Sequence, residues 1–128
     1  MKVLDTTFLI DLIRGDEDTL KILNSDDALL TTQINMYEVI RGLFLRKVTS
    51  SKLMEVIELF ENVRLLSLDD NSIIKAADIS ANLIKKGKII SDCDCLMAGM
   101  ALTSGANKIV TRNRKHFSRI TELEVIDY

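Results

Sequence analysis

The sequence predicts an α/β protein with three α/β/α layers, in which helices cover both faces of a central parallel sheet. Short apolar segments with strand character alternate along the chain with segments whose apolar residues have helical spacing. Residues 96–102 carry no charge and are apolar on every side, which is typical of a buried helix. Asp5 and Asn113 fall at the ends of two predicted strands, and ligands of such folds gather where parallel strands end.

The chain has 128 residues, and its composition predicts one globular domain spanning residues 1–128. Hydrophobic residues make up 47% and charged residues 28%, and there is no proline or linker-like tract. No uncharged apolar run reaches the roughly 18 residues that a membrane span needs. Residues 1–9 lack the layout of a signal peptide. We therefore expect a cytoplasmic protein that does not associate with membranes.

The first half of the chain predicts two strands and four helices. Thr6 and Thr7 are candidate caps of the first helix, and Gly15 is its stop signal. Leu20 and Leu23 should face inward from the second helix, and Tyr37 and Phe44 belong to the apolar positions of the third. The predicted strands are Met1–Asp5 and Ala28–Thr31, and the predicted helices are 8–13, 16–24, Thr32–Lys47 and Ser50–Asn62.

The second half predicts three further strands and two helices. Asp69 or Asp70 should cap the first of these helices, and Gly87 should end it. The second is the apolar helix, where the small residues Ala98, Gly99 and Ala101 would let the backbone lie close against the sheet. The predicted strands are Val63–Leu66, Lys108–Thr111 and Leu123–Ile126, and the helices are Ser72–Lys86 and the segment that begins near Asp92 and Asp94.

Five residues are candidates for a shared site: Asp5, Glu38, Asp92, Asp94 and Asn113. Each also has a purely structural interpretation. Asp5 could cap a helix, Asp94 completes a Ser-x-x-Asp capping box, and Asp92 could favour the helix dipole. Asn113 could be a turn residue, and Glu38 could be solvated, although its neighbours are apolar.

The set is more informative than its members. Two carboxylates about 4 Å apart repel by roughly 4 kcal/mol at an effective dielectric constant near 20. Several converging acids without basic partners therefore need a cation, and oxygen ligands suit Mg²⁺. Such a site can activate water for attack on a phosphodiester. The sequence thus indicates a metal-dependent phosphodiesterase.

A basic segment follows the fourth predicted strand. Residues 108–119 contain five lysine or arginine residues and no acid, although the net charge of the chain is −2. This excess could hold nucleic-acid phosphates or could be a solvated surface. The best candidates for phosphate contacts are Arg112, Arg114 and Lys115.

Cys93 and Cys95 lie one residue apart, a poor spacing for a disulfide. A zinc site would need about four ligands, and His116 is the only histidine. Burial as small apolar side chains is the simpler interpretation of the two cysteines.

Four segments together resemble the PIN-domain ribonucleases, in particular the VapC-type toxins of toxin–antitoxin pairs. The resemblance spans essentially the whole chain. One departure is Gly99, which stands where alanine is more usual. We expect the exchange between glycine and alanine at this position to have only a mild steric effect. The segments are V-L-D-T-T at the N-terminus, Y-E-V-I-R-G at 37–42, I-S-D-C-D-C-L-M-A-G-M-A-L at 90–102 and I-V-T-R-N-R-K-H-F at 109–117.

The resemblance implies a PIN-like fold and a metal-dependent endoribonuclease that uses Mg²⁺ or Mn²⁺. It also implies an RNA substrate, a homodimer and an antitoxin whose tail covers the active site. Its acids map to Asp5, Glu38 and Asp94, with Asn113 in the fourth position and Asp92 as an auxiliary acid. Hydroxyl groups at Thr6 and Thr111 would support the pocket.

Two other functions are compatible with an acidic α/β protein. A phosphotransfer fold would need D-x-D or an acidic pair on the first strand, whereas Asp5 is followed by two threonines. A non-catalytic module could use the same pocket to hold a metal or nucleic acid, because fold does not imply turnover. Titration with Mn²⁺ during an RNA cleavage assay would separate an enzyme from a binder.

Overall fold

The structure is a computed structural model that describes all residues from Met1 to Tyr128. Five strands form one sheet in the order β3-β2-β1-β4-β5, and every neighbouring pair is parallel. The strands are β1 (Lys2–Leu4), β2 (Leu29–Thr32), β3 (Arg64–Leu66), β4 (Lys108–Val110) and β5 (Glu124–Ile126).

Seven α-helices connect the strands, and a 3₁₀ turn at Glu17–Thr19 precedes the second helix. None of the helices is long and apolar enough to cross a bilayer. The helices are α1 (Thr6–Ile13), α2 (Leu20–Leu23), α3 (Gln33–Leu45), α4 (Ser50–Glu61), α5 (Asp70–Lys85), α6 (Asp92–Thr103) and α7 (Arg114–Phe117).

Two apolar clusters lie on opposite faces of the sheet. Side chains alternate between faces along a strand, so Val3 and Ile109 join one cluster whereas Leu4 and Val110 join the other. The first cluster includes buried residues of α5, α6 and α7, and the second includes those of α1 to α4. The predicted three-layer α/β/α fold with a parallel sheet is therefore confirmed.

Two predictions about apolar faces are wrong. Leu20 and Leu23 are 51% and 38% exposed, and Ile22 is the α2 residue that enters the core. Tyr37 and Phe44 are also exposed, at 58% and 65%, because only one side of α3 packs on the sheet layer. The short helix α7 was not predicted, since four residues are too few to show a helical period.

The predicted ends of the longer helices lie within two residues of the observed ends, and the predicted cap of the shorter helix α1 is wrong. Asp5, not Thr6 or Thr7, occupies the N-cap position of α1, and its side chain makes no capping hydrogen bond. Asp69 forms a capping box with Ser72 at the start of α5. A carboxylate at an N-cap that does not cap the helix is available for another role.

Gly99 lies at a close contact between two helices, α6 and α5. A Cβ atom at this position would lie 2.6 Å from the carbonyl oxygen of Ser72 and 2.8 Å from the backbone nitrogen of Ala76. Alanine at position 99 is therefore not sterically mild, contrary to the sequence-based expectation. The close contact is also with α5, not with the sheet.

We expect Gly99→Ala to destabilise the protein by about 1–3 kcal/mol, because the added methyl group must push two backbones apart. Gly42 provides a matched control, since it lies inside α3 and a Cβ there would meet no atom within 4 Å. Gly42→Ala should be neutral or stabilising by up to about 1 kcal/mol. Urea unfolding of both variants measures the difference, and equal stabilities would contradict this account.

Candidate active site

Four of the five predicted site residues, Asp5, Glu38, Asp94 and Asn113, lie near the point where the three central strands end. Asp5 directly follows β1, Thr32 ends β2 and Thr111 directly follows β4. Since β1 lies between β2 and β4, the chain leaves the sheet in opposite directions from this point. A crevice forms at such a topological switch, outside the carboxyl ends of the strands, and commonly binds ligands.

Asp5 is 4% exposed and accepts its hydrogen bonds only from neutral donors. Its Oδ2 atom accepts from the hydroxyl groups of Thr111 at 2.6 Å and Thr7 at 3.1 Å. Its Oδ1 atom accepts a longer bond, 3.5 Å, from the Asn35 side chain. These bonds fix the orientation of the carboxylate and leave its negative charge unneutralised by any basic residue.

Asn35 is fully buried and connects the elements around Asp5. Its Oδ1 atom accepts from the Thr32 hydroxyl at 2.7 Å, and its Nδ2 atom donates to Thr6 Oγ1 at 3.1 Å. The Thr6 hydroxyl in turn donates to Glu38 Oε1 at 2.9 Å. Neither Asn35 nor Thr7 was predicted to be a site residue, although Thr7 was a candidate helix cap. The only available signal for Asn35 was a polar residue one turn before Glu38 on the same helix.

Glu38 and Asp94 complete an acidic cluster with Asp5. Burial raises the pKa of Glu38, and the charges of Asp5 and Asp94 raise it further, although the Thr6 hydrogen bond opposes this. Burial and the charge of Asp5 likewise raise the pKa of Asp94. Three acids from the end of β1, from α3 and from α6 therefore share one electrostatic environment.

We expect the stability of the metal-free protein to depend on pH through Glu38. A raised pKa in the folded state means that folding favours the protonated carboxyl. The corresponding stability is present below the unfolded pKa, about 4.3, and is lost as pH rises through the raised folded value. Glu38→Gln stays neutral, so its free energy of unfolding should fall less between about pH 4.5 and pH 7.5.

Urea unfolding in EDTA, with wild type and Glu38→Gln compared at each pH, measures this difference. Four acids have lowered pKa values, so their contribution to stability increases with pH. Both proteins contain these acids, and their contribution therefore cancels in the comparison. Parallel pH profiles for the two proteins would contradict the environment assigned to Glu38. The four acids are Asp11, Asp27, Asp69 and Asp127.

Asn113 lies beside the cluster and contacts a histidine that was not predicted to take part. The Asn113 side-chain nitrogen is 3.0 Å from His116 Nδ1, which lies 3.6 Å from Asp94 Oδ2. The backbone N–H of Asn113 donates to the Thr111 hydroxyl at 2.9 Å. The short helix α7 brings His116 to Asp94, which explains why the contact could not be predicted from spacing.

Asp92 is not placed with the other acids. It is exposed in the first turn of α6 and lines a shallow depression with Ile73 and Cys95. Ser91 caps α6 by accepting from the backbone N–H of Asp94 at 3.1 Å, so the predicted cap at Ser91 is present. The Asp94 carboxylate nevertheless faces the acidic cluster.

The basic segment divides into paired and unpaired side chains. Arg114 forms an ion pair with Asp127, and Arg112 contacts three aspartates. Lys115 is exposed and forms no ion pair. Of the three predicted phosphate contacts, Lys115 therefore has the side chain that is most available to an incoming anion.

The two cysteines behave as packing residues. Cys95 is 3% exposed in the main core cluster, and burial raises the thiol pKa of both Cys93 and Cys95. Neither forms a disulfide.

The acidic cluster fits a hard divalent cation by the chemistry of its donors. Asp5, Glu38 and Asp94 offer carboxylate oxygens, and the mutual repulsion of these groups falls when a cation binds. No three acidic, histidine or cysteine side chains converge tightly enough in the structure to grip one ion directly. Mg²⁺ retains several waters in protein sites, so a looser set of carboxylates is compatible with it.

A parallel α/β/α protein with carboxylates at the switch point of its sheet has the architecture of a metal-assisted hydrolase. The sequence matches the family model of the PIN domain over residues 2–123. The chain therefore belongs to the PIN domain family, and the resemblance inferred from its motifs is confirmed.

Related proteins match nearly the full chain. Ribonuclease VapC1 of Methanocaldococcus jannaschii is 26% identical over 121 residues, which are 94% of this chain and 81% of that protein. A chain of VapBC-1 from nontypeable Haemophilus influenzae superposes with a TM-score of 0.84 and 26% identity, covering 98% of this chain and 96% of its own.

VapBC-5 of Mycobacterium tuberculosis, a member of the VapBC family of toxin–antitoxin systems, gives a TM-score of 0.74. Its matching chain is 20% identical and covers 99% of this chain and 98% of its own length. At that identity the similarity shows the fold alone.

Proposed function

We propose that this protein is a metal-dependent endoribonuclease and the toxin of a type II toxin–antitoxin pair. The observation that carries the proposal is the convergence of Asp5, Glu38 and Asp94 at the switch point of the sheet, where no lysine or arginine forms an ion pair with them and His116 alone approaches Asp94. The similarity to a protein named ribonuclease VapC1 supports the choice of substrate. The whole chain acts as one nuclease domain.

Asp5, Glu38 and Asp94 would hold Mg²⁺ or Mn²⁺, and Asn113 would assist through its side-chain oxygen. A bound divalent ion supplies positive charge to the phosphodiester and lowers the pKa of a water molecule. Asp5 is the fixed member, because three hydrogen bonds orient it. Glu38 and Asp94 are partly exposed and have more freedom to adjust.

The other residues of the site position these acids and the substrate. Thr111 and Thr7 hold the Asp5 carboxylate, and Thr6 holds Glu38. Lys115, on the exposed side of α7, would contact an RNA phosphate. Asp92 would act only as an auxiliary acid, which makes the electrostatic potential near the start of α6 more negative.

RNA cleavage under controlled metal concentration tests the function. EDTA-treated protein should leave a single-stranded RNA oligonucleotide intact and should cleave it internally after addition of Mg²⁺ or Mn²⁺. Metal-induced stabilisation without cleavage of any RNA would instead identify a non-catalytic binding module.

We further propose that an antitoxin docks on an apolar groove along α3. The groove has a volume of about 630 Å³, and its lining residue Tyr37 directly precedes Glu38 in α3. We expect a peptide seated in the groove to extend toward the acidic cluster. Arg41 lies over the Tyr37 ring at 5.2 Å and offers a positive charge at the groove edge. An apolar segment with an acidic flank would match this surface. The apolar lining residues are Met36, Tyr37, Ile40, Phe44 and Leu45.

Co-purification with the protein encoded by the adjacent reading frame tests the groove. Phe44→Ser should abolish co-purification, whereas Ile74→Ser, on the equally exposed surface of α5, should retain it. Light scattering of the isolated protein tests the homodimer, which we also propose. Loss of the dimer in Phe44→Ser would reassign the groove to a second copy of the chain.

A further inference from the structure

The Arg112 side chain is held by groups of the protein itself. Its Nε atom donates to Asp11 Oδ2 at 2.8 Å, and a terminal nitrogen lies 3.4 Å from Asp16 Oδ2 and 3.5 Å from Asp18 Oδ2. The guanidinium carbon also lies 4.3 Å from the centroid of the Tyr128 ring. We call Asp11, Asp16, Asp18, Arg112 and Tyr128 the Arg112 clamp.

Tyr128 closes the Arg112 clamp on the side of α1. Its hydroxyl donates to the same Asp11 Oδ2 atom at 2.6 Å, so this carboxylate is shared between a phenol and a guanidinium. The edge of the ring meets the fully buried Phe8 with centroids 5.0 Å apart. The clamp therefore joins the segment after β5, the segment after β4 and the helix α1.

This arrangement disfavours contact between Arg112 and RNA. A guanidinium presents its donors in one plane and its faces to aromatic rings. Here Nε and one terminal nitrogen face aspartates, and one face of the guanidinium lies against the Tyr128 ring. Three aspartates around it also repel an approaching phosphate. Arg112 and Lys115 lie in the same basic segment, but only Lys115 projects a free charge to solvent.

The backbone of Arg112 connects the clamp to the acidic cluster. Its N–H group donates to the Thr7 hydroxyl at 3.0 Å, and that hydroxyl donates to Asp5 Oδ2. The preceding residue, Thr111, donates to the same oxygen of Asp5. A shift of residues 111–113 away from α1 would thus disturb two of the three hydrogen bonds that orient Asp5.

We propose that the Arg112 clamp is a positioning device that holds residues 111–113 against α1 and thereby orients the Asp5 carboxylate. Arg112, Asp11 and Tyr128 act through Thr7 and Thr111, not on the substrate. This inference rests on the proposed ribonuclease function. It also reassigns Arg112, which the sequence offered as a phosphate contact.

Two measurements on Arg112→Gln, the rate of RNA cleavage and the affinity for RNA, separate a positioning role from phosphate binding. With metal present, we expect kcat for a single-stranded RNA to fall at least about tenfold, as for loss of an outer-shell partner. RNA affinity in EDTA should keep the salt dependence of wild type. A phosphate contact would instead lower the slope of log affinity against log salt by about 0.7. Arg46→Gln, which removes an exposed arginine at the end of α3, serves as the charge-matched control.

Tyr128 provides an independent test with a graded outcome. Tyr128→Phe keeps the ring over Arg112 and loses only the bond to Asp11, so its kcat should lie between those of wild type and Tyr128→Ala. Amide hydrogen exchange at residues 112 and 113 should accelerate in Tyr128→Ala and Arg112→Gln, while exchange in α5 stays unchanged.

An unchanged kcat in Arg112→Gln would overturn the clamp, whatever happens to the salt slope. Unchanged exchange at residues 112 and 113 would overturn it as well. Absence of cleavage by wild type would instead refute the ribonuclease proposal, and the exchange measurement would still test the clamp.

Discussion

Asp5→Asn should reduce RNA cleavage by more than about 100-fold, because loss of a metal ligand should exceed the 10–100-fold cost of losing an outer-shell partner. Asparagine has the same shape, and its oxygen can accept from Thr7 and Thr111 as the Asp5 carboxylate does. The variant protein should therefore fold. Its initial cleavage rate at saturating Mn²⁺, compared with wild type, measures the effect.

The stability of Asp5→Asn in EDTA separates a lost ligand from a lost fold. The variant removes one of three mutually repelling acids, so its free energy of unfolding should equal or exceed that of wild type. Asp70→Asn, an exposed acid in the first turn of α5, should retain both activity and stability. Wild-type cleavage by Asp5→Asn would exclude Asp5 as an essential ligand.

Addition of Mn²⁺ should raise the melting temperature of EDTA-treated protein by on the order of 10 °C, since 1 kcal/mol shifts the melting temperature of a domain of this size by a few degrees. An ion that binds only the folded state at 100 times its dissociation constant stabilises that state by about 2.7 kcal/mol. We expect the affinity to come from the acidic cluster, because Asp5 raises the pKa of both Glu38 and Asp94 and a bound cation would relieve this repulsion. Differential scanning calorimetry against millimolar Mn²⁺ measures the shift.

Matched variants locate the ion. Asp94→Asn and Glu38→Gln should lose most of the thermal shift, whereas Glu55→Gln, an exposed acid on α4, should retain all of it. An equal shift in all four proteins would place Mn²⁺ outside the acidic cluster, and the metal-centre proposal would fail.

The order of strands and helices was predictable because it depends on local patterns. These patterns each extend over only a few residues: the alternation along β1 and β4, the positive-φ glycines Gly15 and Gly87, and the uncharged residues 96–102 of α6. The inward faces of α2 and α3 were not predictable to the same extent. An apolar residue such as Phe44 meets the helical period whether it packs on the sheet or faces solvent.

The acids of the candidate site were predictable because each follows a strand or lies at an unusual place in a helix. The groups that orient them were not. Asn35 bonds to Asp5, which lies 30 residues away in the chain, and Thr7 bonds to the backbone of Arg112, which lies 105 residues away. No local sequence spacing encodes such contacts. The pairing of Arg112 with Asp11 spans 101 residues and was invisible for the same reason.

The glycine at position 99 has a consequence beyond the packing of the core. Helix α6 carries Asp94 five residues before Gly99. The packing of this helix on α5 therefore sets how far its first turn lies from Asp5. A methyl group at position 99 would push α6 away from α5 and so move the first turn of α6. Under the proposed function, we expect this substitution to change the distance between the Asp94 and Asp5 carboxylates and therefore the affinity for metal.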